Sequence, residues 1–510
     1  MPLVVVSPFP PPCTAPRDSI SCAVWLLALP HRGRSQPCCW VANQRKRCLY
    51  TSSLRAATRR KKSRNNSLHD LPEEILKIII SRLTLKDAAR MSTLSSMWKT
   101  LWNSHSNLSF HAAMVTHSNS KGDGMDSQEK KFIDIVDTVL RNHDGTYLDQ
   151  FEVAFELREK HACSLDSWIG FAVSSKASEI VLDLDPRSPR TAEDAYDFPF
   201  HLFQSENGIQ SVWVKCVSLK PPRDFYGFTK LTKFTIRSVH IMEDIGNLLS
   251  NCCALRWLHI ICCNFGKLKL HGTFYRLQHL CVIYSELQAI ELHAIGLETF
   301  KYVGQPLPIV FYGSPKLKIA DIKLCPYYYF GYVCSELSTA LPCLEELYMD
   351  VRLKSEVRDY AISKVKFNYL RYVNCTVIIR GHPKYTGGIL ELASIVKAAP
   401  VLEKLDLHMD SSMYPHYICK AIGNPSPSPH NHLKIVRATG FFGLEGQIEL
   451  ALYILENARL LQSMTIDLLA LRQSRRSREE ANKSIDAQIC REIVHEFLGL
   501  EKYRGVLTIL

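Results

Sequence analysis

Leu255-Arg256-Trp257-Leu258-His259-Ile260 carries apolar side chains at its first, fourth and sixth positions, and the reading of that spacing decides the architecture. Its last four residues read as a short strand whose alternate apolar side chains, Leu258 and Ile260, turn inward. The unit recurs as Leu148/Phe151/Val153, Ala177/Ile180/Leu182, Ile209/Val212/Val214, Leu231/Phe234/Ile236, Leu277/Leu280/Val282 and Leu297/Phe300/Tyr302. It continues as Leu317/Ala320/Ile322, Leu344/Leu347/Met349, Leu370/Val373/Cys375, Leu402/Leu405/Leu407, Leu433/Val436/Ala438 and Leu461/Met464/Ile466, giving thirteen units at intervals of 20 to 32 residues. A repeat of this period predicts a solenoid: each strand pairs with the next in a parallel sheet, and connecting segments such as 241–250 and 387–398, several of them helical, make the outer layer. The expected fold class is α/β, an arched parallel-sheet solenoid over residues 129–425.

Upstream, Leu68-His69-Asp70-Leu71-Pro72-Glu73-Glu74-Ile75-Leu76 opens a different kind of structure. Asp70 and Glu73 have the spacing of a capping box, so a helix is expected to start at Asp70 with Pro72 in its first turn. Apolar residues at 71, 75, 76, 79, 80 and 83 make one wide stripe, opposite Glu73, Glu74, Lys77 and Arg82. Thr84 with Asp87 predicts a second helix, and Ser95-Ser96 a third that carries Trp98, Leu101 and Trp102. Three short helices over residues 67–110 hold more apolar side chain than they can hide by themselves.

Leu71-Pro72-x-x-Ile75-Leu76, Leu83, Asp87, Arg90, Leu94-Ser95 and Trp98-Lys99-x-Leu101-Trp102 closely resemble the F-box of plant F-box proteins with leucine-rich repeats. Met97 departs from that family, which usually has a basic residue before the tryptophan. The resemblance implies docking on a Skp1-type adaptor through Leu71, Pro72, Ile75, Leu76, Ile79, Leu83, Leu94 and Trp98. The repeats look like irregular leucine-rich repeats of the same family, with Cys263 at the Asn/Cys position whose side chain satisfies backbone groups at the turn. Residues 426–510 resemble its FBD-type C-terminal domain: strand, a turn at Gly440 and Gly443, a helix through 449–458, and a final strand at Leu507-Thr508-Ile509-Leu510. Such a module would cap the end of the solenoid.

Charge is uneven along the chain. Residues 1–66 hold twelve Lys/Arg against Asp18, a net +11 of the chain's +12, so everything from Ser67 onward sums to about +1. No large basic surface is expected on the body, and nucleic acid is not an expected partner. The tail begins Pro-rich (Ser7-Pro8-Phe9-Pro10-Pro11-Pro12), a composition that favours extended, unpacked chain. Its apolar run at residues 20–29 mimics the core of a secretory signal, but the leading region has only Arg17 balanced by Asp18. Arg59-Arg60-Lys61-Lys62-Ser63-Arg64 reads either as a nuclear-import or phosphate-contacting patch (Arg59, Arg60, Lys61, Lys62, Arg64) or as a solvated linker. The expected location is nucleus or cytoplasm, with no membrane span, since no apolar run approaches the roughly 18 residues needed.

Eighteen cysteines in 510 residues are too sparse for an oxidised scaffold and read as buried thiols. Cys252-Cys253 and Cys262-Cys263 look like a metal cluster until their coincidence with repeat positions is noticed, so no metal or other cofactor is expected. Residues 111–128, polar and glycine-containing, read as a linker, and 129–141 as the amphipathic helix that starts the repeats. Between two repeats Tyr327, Tyr328, Tyr329, Phe330 and Tyr332 cluster as a target-contact candidate, with burial in the solenoid as the plainer alternative. The loop Arg380-Gly381-His382-Pro383-Lys384-Tyr385-Thr386-Gly387-Gly388 invites the same two readings. No phosphate loop, His-Glu-x-x-His, Gly-x-Ser-x-Gly or Cys-x-x-Cys signature is present. The function implied is therefore an adaptor rather than an enzyme. By resemblance, it would link Skp1 and cullin in an E3 ubiquitin ligase to a target protein on the repeats; a repeat scaffold that binds Skp1 without cullin is the alternative.

Overall fold

The structure, a computed structural model, describes residues 71–510 apart from 116–124, 146, 186–193, 205–207, 242–244, 265–266, 271–273, 325–337, 354–365, 380–388, 390–391, 412–427, 469–484 and 500. Its organising feature is a parallel sheet of 15 strands, each hydrogen-bonded to the next along the chain. Thirteen of them coincide with the predicted units, and the registers align the units with one another: Leu258 faces Phe234 on one side and Leu280 on the other. Every position of the thirteen triplets except the half-buried Leu461 is at most 2 % exposed. Burial on this scale, at about 1.5–3 kcal/mol for a large apolar side chain, is the main stabilising term of the array.

Repeat length decides what closes each coil. Where units lie 28 to 32 residues apart, the return path has room for a helix, as in Ala162–Ser174, Ala393–Ala398 and Glu445–Asn457. Where the interval falls to 20–24, short strands appear, accompanied in one coil by the helix Ile245–Ser250. Val217–Leu219 and His240–Ile241 pair with each other, as do Lys267–Leu270, Ala289–Leu292 and Ile309–Phe311, in two small parallel sheets. The corner between main strand and return is made by one left-handed residue per coil: Cys216, Ser238, Cys262 and Tyr284 have φ of 48–57°. The N–H of Ser238 donates to Ile261 O at 2.8 Å and that of Cys262 to Ile283 O at 2.7 Å, carrying the ladder round the bend. Each such corner costs a non-glycine residue roughly 1 kcal/mol, offset by these bonds. Cys263 follows as expected, buried, with Sγ 3.3 Å from Ile261 O and 3.8 Å from Ile236 O. Burial pushes its thiol up to about 12, so it stays a neutral donor.

Ahead of the sheet stand three helices: α1 (Glu73–Ser81), α2 (Leu85–Ser92) and α3 (Ser96–Asn103). Thr84 and Ser95 cap α2 and α3 as expected, accepting from the N–H groups of Asp87 and Trp98. α1 differs from expectation. It begins at Glu73, and Pro72 is its N-cap rather than part of its first turn, with the Pro72 carbonyl accepting from Ile75 and Leu76. The Pro72 carbonyl thus serves the first turn, and Asp70, the expected partner of Glu73, lies outside the described residues.

Three predicted stretches take a definite form. Asn107–His111, assigned to the helical unit and the linker, is the first strand of the large sheet, with Leu108 opposite Phe151. The helix expected at 129–141 runs Met125–Asn142, which takes its first turn from the predicted linker. At the other end the strands Ile435–Thr439, Ser463–Asp467 and Leu507–Ile509 follow in the expected order around Glu445–Asn457 and close the same 15-stranded sheet.

Candidate functional site

The wide stripe read along α1 divides into two faces. Leu76 and Ile80 turn inward with Ala88, Trp98 and Leu101 to make a small core, and Ile79, Leu83, Met91, Met97 and Trp102 pack against it. The family's basic position is thus a half-buried methionine that adds to this core. Ile75 and Ile78, three apart on α1, are exposed by 43 % and 50 %, and Leu71, just ahead of the N-cap, by 38 %. Pro72 is exposed beside them, and Leu94, in the turn between α2 and α3, is 70 % exposed.

Of the predicted adaptor contacts, Leu76 and Trp98 are each 2 % exposed in this chain and pack in the core of the helical unit. Ile79 and Leu83 are half-buried at the border. Ile78, absent from the stripe read in sequence, is exposed beside Ile75, and sequence spacing does not say which apolar residue faces out when a helix has two apolar sides.

The helical unit is fastened to the solenoid. Leu85 of α2 lies in the solenoid's core and Trp102 of α3 packs on both cores. His105, 1 % exposed, spans the joint, with Nε2 3.0 Å from Ile80 O and Nδ1 accepting the Asn107 N–H at 3.1 Å. With Nδ1 as acceptor, Nε2 must carry the proton that Ile80 receives. Asn107 Nδ2 donates to Ser81 O at 3.0 Å, and His143 Nε2 lies 3.0 Å from His105 O. Burial lowers the His105 pKa, with His143 acting in the same direction and the two backbone bonds opposing it.

The open face of the sheet presents the outward residues of each strand in rows at common register. Its middle is aromatic and apolar: Trp257 stacks on His279 with centroids 5.5 Å apart, and Ile261 lies beside Ile283. Towards the C-terminal end it becomes charged and hydrogen-bonded. Lys301 pairs with Asp321 at 2.6 Å, Lys323 with Asp350 at 3.0 Å and Lys404 with Asp406 at 3.0 Å. Tyr372 Oη donates to Asp406 at 2.7 Å, and Asn374 links Tyr372 to His408, each at 3.2 Å. None of this was anticipated from sequence, because the face is assembled from several strands, each contributing one or two residues with no local signature. The target-contact candidates Tyr327, Tyr328, Tyr329 and Tyr332, the loop 380–388 and the basic patch Arg59, Arg60, Lys61, Lys62 and Arg64 lie outside the described residues. Among the described residues no helix is long and apolar enough to cross a membrane.

Comparison with known proteins agrees with both halves of this geometry. The F-box domain model matches residues 68–110, and the model described as "At1g61320/AtMIF1, LRR domain" matches residues 139–509. Among curated proteins of Arabidopsis thaliana, F-box/FBD/LRR-repeat protein At1g13570 is 27 % identical over 199 residues, 38 % of this chain and 43 % of that one. F-box/LRR-repeat protein At3g26922 is 25 % identical over 187 residues (36 % and 56 %), and F-box protein At1g80960 is 25 % identical over 296 (55 % and 57 %). The chain thus spans less than two thirds of the length of each. With the repeat model covering well over half of its residues, behind a matched F-box, the chain belongs to the At1g61320/AtMIF1 leucine-rich-repeat family of F-box proteins.

Proposed function

We propose that this chain is the substrate-binding adaptor of an SCF-type (Skp1–cullin–F-box) E3 ubiquitin ligase, with the F-box on a Skp1-type adaptor and the repeats on a target protein. The observation that carries the reading is the apolar face Leu71, Pro72, Ile75 and Ile78, left open on an F-box whose own core is already filled by Leu76, Ile80, Trp98 and Leu101. An exposed patch of this kind on a small helical unit marks a protein interface. The joint through His105 and Leu85 supports the second half of the reading, since an adaptor that presents a target to a ubiquitin-charged enzyme contributes proximity and orientation. The bond-making chemistry then belongs to the partner subunits. Affinity purification from plant cells, comparing the parent with a Leu71→Ala/Pro72→Ala variant, tests it. The parent should recover a Skp1-type protein and cullin, and the variant should lose about tenfold of both. Equal recovery of the adaptor would refute the placement of the contact; an adaptor recovered without cullin would refute the ligase reading in favour of a scaffold.

A further inference from the structure

Asp406 lies on the open face of the sheet with its side chain 9 % exposed. Its Oδ2 accepts from Tyr372 Oη and Lys404 Nζ, whereas Oδ1 is enclosed and has no hydrogen-bond partner among the described residues. An enclosed carboxylate oxygen without a donor carries a desolvation cost that most folds remove. What surrounds it is arranged for a cation. The rings of Tyr348 and Tyr372 meet edge to face at 5.5 Å, and Lys404 Nζ sits 4.5 Å from the centroid of Tyr372. Asn374 fixes Tyr372 from the other side and is itself tied to His408, whose Nδ1 lies 3.1 Å from Thr439 Oγ1. Asp321, at the same register three strands back, also encloses an unpartnered Oδ1, which extends the demand for donors along the row.

Lys404 shows what this cluster holds, a cation over a tyrosine ring and against a carboxylate, but its own side chain is 44 % exposed and uses one of the two oxygens. We propose that Tyr348, Tyr372 and Asp406 form a recognition site for an arginine side chain of the bound target, which displaces Lys404. A guanidinium fork can engage both oxygens of one carboxylate and lie flat on a tyrosine, so it gains a bond that an ammonium cannot. Exchange of one lysine for another would gain nothing. This inference rests on the reading of the sheet face as the target-binding surface.

The test uses the full chain co-purified with its Skp1-type adaptor, and fluorescent peptide pools of random sequence whose central residue is fixed as Arg, Lys or Gln. The Arg pool should bind about tenfold more tightly than the Gln pool, with the Lys pool close to Gln because a peptide lysine only replaces Lys404. Asp406→Asn should remove most of that preference, and Lys404→Ala, which clears the seat, should enlarge it. Arg and Gln pools that bind alike, or an Asp406→Asn protein that still prefers Arg, would overturn the proposal, and Lys404→Ala decides it should the Asn variant fail to fold. Recovery of cullin by the same preparation is read separately, so a failed arginine preference is distinguishable from a failed ligase assignment.

Discussion

Gln447 shows how much of the array's order can depend on one polar side chain. It is 0 % exposed in the helix Glu445–Asn457, yet all of its hydrogen-bonding capacity is used. Oε1 accepts the N–H groups of Phe442 and Leu444 at 2.8 and 3.2 Å, while Nε2 donates to Gly440 O at 3.0 Å and approaches Met409 Sδ at 3.2 Å. The turn between the strand Ile435–Thr439 and its return helix thus takes its shape from a side chain rather than from backbone pairing. Gln447→Leu keeps the volume and strands two N–H groups and a carbonyl in the interior, at about 1–3 kcal/mol each before relaxation. The unfolding free energy measured by denaturant titration should fall by about 3 kcal/mol; a change under about 0.5 kcal/mol would show that water or a shifted turn satisfies these groups instead.

At the scale of elements, the joint between F-box and solenoid is the feature whose stability depends on pH. His105 is held neutral, because protonating Nδ1 would set a second donor against the Asn107 N–H and place a charge in a buried site beside His143. Its folded pKa lies below the ordinary value of 6.5, so on acidification the unfolded chain takes up the proton first. The stability it contributes is complete above about pH 6.5 and is lost as pH falls toward the folded value. His259, His408 and His430 are also lowered by burial and add to the same trend, so the comparison must be with His105→Gln, whose amide can donate to Ile80 O and accept from Asn107. The variant should lose less stability than the parent between pH 7.5 and 5.5; parallel curves would place the dependence elsewhere. This element was illegible in sequence for a physical reason. The thirteen strands announce themselves because each repeats a leucine-spaced triplet, but Asn107–His111 offers only Leu108 and Phe110, without the leading apolar residue, and follows a helix directly. The return strands of two to four residues are too short for alternation to register. The two faces of α1 were legible as apolar and illegible as inner and outer, since that division depends on where α3 packs.

For the whole molecule the consequence is that F-box and repeats form a continuous body, with Leu85 of α2 in the repeat core and Trp102 packed on both cores. In a solenoid each coil touches mainly its neighbours, so a rigid first coil transmits its orientation along the sheet only if the helices ahead of it are locked to it. If the chain is a ligase adaptor, that lock keeps a bound target at a fixed place relative to the adaptor on the other side of α1, and its value is an effective concentration rather than an affinity. Inserting about ten Gly and Ser residues between Ser104 and His105, together with Leu85→Asp, should free the F-box while leaving Leu71, Pro72, Ile75 and Ile78 intact. Affinity for the Skp1-type adaptor should stay within about twofold, because the apolar face is unchanged, while ubiquitin transfer to a bound target in a reconstituted reaction should slow by about tenfold as the target samples unproductive placements. Transfer at the parental rate with the adaptor still bound would mean that proximity alone suffices and that the His105 joint serves folding rather than presentation.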